Sequence, residues 1–109
     1  MKYDEFLKTR RELNDTLEKL SQALLTMEVD GTDKMEFVIL HEQYLETELQ
    51  LHRVESQFWM QMYYNSFWFM KRKIAKQFTV VSELHGRTLH RLYSVRIYKK
   101  MLQSQINEQ

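Results

Sequence analysis

Residues 58–70 read FWMQMYYNSFWFM, and the architecture of the chain depends on how they are folded. Seven of the 14 aromatic residues fall in these thirteen positions, Trp59 and Trp68 among them. Only Gln61, Asn65 and Ser66 are neither apolar nor aromatic. No Pro or Gly interrupts the run and its flanks are rich in helix formers, so the pattern predicts helix. With 3.6 residues per turn, apolar side chains point almost all round the axis. The narrow polar strip left runs through Gln50, Arg53, Gln57 and Gln61. A helix apolar on most of its circumference calls for burial on most of it. At ~150–250 Å² per ring, the seven aromatics represent on the order of 1,000 Å² or more. That is more than one neighbouring helix covers.

Three environments would satisfy such a stretch. The commonest is a core shared by several helices, extended across a homodimer. A membrane surface is the second, because Lys71, Arg72 and Lys73 follow at once, as in interfacial anchors; as a partner it is disfavoured. The third is a docking surface for a protein, or a stacking surface for nucleic-acid bases. A membrane span is excluded for this run, since crossing takes ~20 consecutive apolar residues.

Composition narrows the fold. A chain of 109 residues is expected to form one domain, 1–109. It has no Pro and two Gly, Gly31 and Gly86, so it has few turns. The expected fold is all-α: an antiparallel helical hairpin plus a third helix, forming a bundle that dimerisation completes. The absence of cysteine excludes disulfides, thiolate metal sites and cysteine nucleophiles. MKYDEFLKTRRELND, at the N-terminus, has no apolar core region, so no signal peptide is expected and the expected location is cytoplasmic.

Charge is unevenly spread. Residues 1–57 carry seven Lys/Arg and thirteen Asp/Glu, whereas 58–109 carry nine and two. Halves of opposite sign suit pairing with one another, within the chain or between subunits. A basic half also suits a nucleic-acid or membrane surface.

The helices are expected at about 4–28, 34–76 and 82–105. In the first, Asp4 is a candidate N-cap, and Leu13, Leu17, Leu20, Leu24 and Met27 recur in steps of three and four. Phe6 extends that seam and Arg10 interrupts it. Asp30-Gly31 is turn chemistry, and Asp33 with Glu36 resembles a capping box. The second helix would outreach the first, with the aromatic run as its overhang. It carries two apolar stripes, one through Phe37, Leu40, Tyr44, Leu51, Val54 and Phe58, the other through Val38, Leu45, Leu49 and Trp59. Between them lie His41, Glu48, His52 and Glu55. β-Branched residues cluster in QFTVVS, 77–82, which is the expected second break.

Glu48, His52 and Glu55 share a helix face, but their spacing does not match the Glu-x-x-His pattern of bundle metal sites, and no metal or other cofactor is expected. The expected role of Glu48 and Glu55 is an internal salt-bridge layer with Arg10 or Arg91, the arginines that interrupt apolar seams. Lys71, Arg72, Lys73, Lys76, Arg87, Arg96, Lys99 and Lys100 are the candidate nucleic-acid contacts, without a recognition motif. His85 and His90 are expected at the surface or at a helix cap. Nothing in the residues argues for an enzyme. The expected function is that of a small non-catalytic regulatory or adaptor protein acting through protein–protein contact, as a homodimer with a further unidentified protein partner. Phe58, Trp59, Tyr63, Phe67, Trp68 and Met70 are its expected interface. The alternative is a nucleic-acid-binding regulator using the basic half.

Overall fold

The structure, a computed structural model, describes residues 2–30 and 33–108, and of 28–30 the backbone only. Three helices account for almost all of it: α1 (Tyr3–Asp30), α2 (Lys34–Tyr64) and α3 (Trp68–Glu108). The fold is an all-α helical bundle in which α2 packs antiparallel to both neighbours. Among the described residues α1 and α3 nowhere bring Cα atoms within 8 Å of each other. Phe58, from one stripe of α2, meets α1, whereas Leu45 and Leu49 from the other meet α3, joined there by Tyr44.

The first residues of α1 and α2 favour helix starts where they occur. Asp4 and Glu5 lie in the first turn of α1, where the helix dipole favours acid, and the helix begins one residue before the expected cap. Asp33 caps α2 by accepting a 2.9 Å hydrogen bond from the backbone N–H of Met35. Of the expected turn at Val29–Asp33, Val29 and Asp30 still belong to α1 and Asp33 caps α2, while 31 and 32 lie outside the described residues.

The second turn is not where the sequence predicts it. α2 ends at Tyr64, and the chain reverses through Asn65, Ser66 and Phe67, inside the aromatic run. Short polar side chains that bond nearby backbone compete with helix, and Asn65-Ser66 is the one adjacent pair of them in the run. Ser66 Oγ donates to the Tyr63 carbonyl at 2.9 Å, and Asn65 sits near φ −98°, ψ 3°. Conversely, α3 runs unbroken through 77–82. Val81 is buried against α2, and Thr79 Oγ1 returns a hydrogen bond to the Ala75 carbonyl at 3.0 Å. β-Branching costs a few tenths of a kcal/mol per helical residue, whereas burying a valine is worth about 1.5 kcal/mol or more, so packing wins.

This shift removes the expected overhang of α2 and makes α3, at 41 residues, the spine of a rod measuring 62 × 23 × 20 Å. The core is thin. Leu45, Leu49 and Leu92 form its centre, with Tyr44 and Val95 packed against them. Phe6, Val38, Leu51, Ile74 and Val81 complete the buried apolar set. A second focus lies at the start of α1, where Phe6 stacks on Phe58 at 4.0 Å and 8°. The leucine seam of α1 is only half-buried, consistent with one neighbour instead of two.

Candidate functional site: an exposed aromatic apex with a basic collar

The turn at 65–67 puts the aromatic run at one end of the rod. Its first residues remain in the fold: Phe58 and Trp59 are half-buried, with rings 5.4 Å apart, and Phe58 packs against Phe6 and Tyr3. Its last residues do not. Tyr64 is 73 % exposed, Phe67 74 % and Trp68 84 %, and Tyr63, Phe69 and Met70 are exposed too. The run is thus not the core of this chain, because reversal at Asn65 turns these rings outward with no helix beyond them. Phe67 stacks on Phe69 at 5.8 Å and Trp68 meets Phe69 edge-on at 5.9 Å, so these three rings are connected, while Tyr63 and Tyr64 form a separate pair 5.8 Å apart. Behind them Met60, Tyr63, Tyr64, Ala75 and Phe78 line an open apolar groove of about 250 Å³.

The turn satisfies much of its own backbone. Asn65 N–H donates to the Gln61 carbonyl, and Met70 N–H to that of Phe67. The Tyr63 carbonyl also accepts from Lys71 Nζ at 3.2 Å, and that ammonium lies 4.6 Å from the centre of the Tyr63 ring. Lys71 is thereby pinned to the apex, while Arg72, Lys73 and Lys76 are exposed beside it.

Charge pairs form elsewhere than expected. Glu42 accepts from Lys99 Nζ at 2.9 Å and from Arg96 Nε at 3.3 Å, and Arg96 Nη2 reaches Glu46 at 3.0 Å. The hydrogen bond from Lys99 comes first, with Arg96 adding to it against an opposing effect of burial, and together they hold Glu42 below the usual carboxylate range. So the acidic and basic halves do meet, through α2 and α3 of the same chain. Among the described residues, Glu48 and Glu55 form no ion pair with Arg10 or Arg91. Arg10 lies over the Phe6 ring at 5.5 Å instead, and Arg91 is exposed. Of the candidate nucleic-acid contacts, Arg96 and Lys99 are committed to these carboxylates, whereas Arg87 and Lys100 are exposed. An open groove of about 590 Å³ beside this cluster is lined by Glu42, Tyr93, Arg96, Ile97, Lys99 and Lys100, among others.

His52 is buried, and among the described residues its Nδ1 has no hydrogen-bond partner. The His85 ring faces it edge-on from α3 at 6.3 Å, so His85 turns inward where a surface or cap position was expected; His90 is exposed. Burial pushes the His52 pKa below the ordinary 6.5, with Glu48 and Glu55 opposing and His85 assisting. The folded state therefore prefers the neutral ring. Its contribution is complete above pH 6.5, the unfolded value, and is lost as pH falls toward the depressed folded value. Urea midpoints are expected to drop between about pH 7 and pH 5.5, a window set by the ordinary histidine pKa. His52→Leu is expected to flatten that drop; an undiminished slope in the variant would assign it to other groups.

The fold and the apex define a class: a three-helix rod that carries an exposed ring cluster at one end. Comparisons with protein-family models, curated proteins and solved structures find no match to this chain. Among the described residues, no helix is long and apolar enough to cross a membrane.

Proposed function

We propose that this chain is a non-catalytic helical adaptor that acts by association, as a homodimer whose copies pair along the open flank of α3. What supports this most is surface area. The chain exposes 8338 Å², whereas a compact monomer of its mass exposes about 6,500 Å². Its radius of gyration, 17.7 Å, compares with about 13 Å for a compact chain of this length. The excess exceeds the ~800 Å² that each partner gives to a standard interface.

Part of it lies in one apolar stripe. Leu89, Tyr93, Ile97 and Met101 recur every four residues on the outer side of α3, and all are exposed. Gly86 continues the face, and a methyl group placed there meets nothing within 4 Å, so a second helix has room to approach. These residues are distinct from the expected interface set, of which Phe58 and Trp59 are partly spent on α1 and Tyr63, Phe67, Trp68 and Met70 sit at the apex. The nucleic-acid reading draws less support, because Arg96 and Lys99 are already neutralised by glutamates.

Light scattering at micromolar concentration is expected to give twice 13.5 kDa. Tyr93→Glu with Ile97→Glu is expected to return it to 13.5 kDa with helicity kept. A monomeric mass for the unaltered chain would remove the dimer from this reading.

A further inference from the structure

We infer that the apex docks on an anionic lipid surface, with Tyr64, Phe67, Trp68 and Phe69 entering the headgroup layer and Arg72, Lys73 and Lys76 meeting lipid phosphates. The inference goes beyond the adaptor reading and does not depend on whether α3 pairs two copies.

Charge identifies the occupant. From residue 56 to residue 82 there is no Asp or Glu, although the chain holds 15. The same segment has four cations, Lys71, Arg72, Lys73 and Lys76. An acidic surface that approaches the tip meets the rings and cations of this segment first; Asp4 and Glu5, which open α1, sit farther back, where α1 packs on Phe58. Direction agrees with charge. At about 100° per residue, Trp68, Phe69, Arg72, Lys73 and Lys76 fall within roughly 140° of the α3 circumference. Ile74, the buried residue of the same turns, points the opposite way, into α2. Rings and cations therefore present together on one outward arc.

The chemistry of each part suits the headgroup layer. Tyr and Trp favour it because each has an apolar body and a polar edge. Exposed backbone is the usual obstacle to leaving water, since an unpaired N–H or C=O costs free energy in an apolar medium. Here the Tyr63 carbonyl accepts from Ser66 and Lys71, and Asn65 and Met70 donate within the turn. Each cation near an anionic leaflet adds attraction that salt screens. Single-stranded nucleic acid shares the need for rings and cations, but its recognition runs along a positively charged groove, and the groove at this end is lined by Met60, Tyr63, Tyr64, Ala75 and Phe78 without a cation.

The test uses the full chain with sedimented phosphatidylcholine vesicles, with and without phosphatidylserine. Binding is expected to the anionic vesicles, weakening as salt is added. Arg72→Gln with Lys73→Gln is expected to lower partitioning about 25-fold, at roughly a factor of five per cation. Phe67→Ser with Trp68→Ser is expected to abolish it, and unchanged helicity and urea midpoint in both variants show that the fold survives. In a Trp59→Phe chain, brominated acyl chains are expected to quench Trp68 emission, which reports entry of the ring itself. Equal binding to neutral and anionic vesicles, no quenching on bound vesicles, or retention of single-stranded DNA without vesicle binding would each overturn the inference.

Discussion

Leu45→Ala is expected to lower the unfolding free energy by about 3 kcal/mol, within the range measured for buried leucines. Leu45 is 1 % exposed and lies where α2 meets α3, touching Leu49 and Leu92, with Tyr44 and Val95 around them. The buried apolar set is small, so no second layer takes up the strain. For a domain of this length the loss corresponds to a fall in Tm of roughly 10–15 °C. Thermal melts followed by circular dichroism would show it. A change under about 1 kcal/mol would mean that α2 and α3 do not meet at this residue.

Phe6→Ala has a comparable size and a different location. Phenylalanine truncations in cores cost about 3–5 kcal/mol, and Phe6 is 3 % exposed. Its ring stacks on Phe58 and carries Arg10 on its other side. Because α1 leans on α2 alone, this loss is expected to act first on α1. Hydrogen exchange should accelerate in the amides of α1, while those around Leu45 and Leu92 keep their protection. Phe6→Leu should recover part of the loss. Uniform acceleration across all three helices would show that α1 is an integral part of one cooperative unit.

The helical class could be read directly, because an almost turnless composition and the seam Leu13–Leu17–Leu20–Leu24 both require it. The faces of α2 were legible in part: Leu45 and Leu49 stand in one stripe and meet α3, and Phe58 stands in the other and meets α1, although Tyr44 of that second stripe packs toward α3. What could not be read from periodicity is where α2 ends. An apolar run looks the same whether it continues a buried helix or caps an exposed turn. The available signal was local, the Asn65-Ser66 pair, and it is weak beside ten apolar neighbours. At QFTVVS the error is reversed: low helix propensity suggested a break that the burial of Val81 overrides.

Partner choice followed from the misplaced turn. Which lysine faces Glu42 depends on where the chain reverses, so the register joining Lys99 and Arg96 to Glu42 and Glu46 was invisible until the reversal was placed. The candidate site divides in the same way. The rings and cations of the apex were recognised as one unusual block, but their exposure arises from three residues of non-helical chain.

The reversal at 65–67 can be tested by one distance. Spin labels at Gln50 and Arg87, both exposed, report whether α2 and α3 lie side by side. With helix axes about 10 Å apart, the folded-back arrangement places the labels within roughly 25 Å of each other. A helix continuous between those positions would separate them by about 55 Å. A short distance in a sparsely labelled sample is what the account requires; a population centred at the long distance would contradict the turn, and with it the exposed apex.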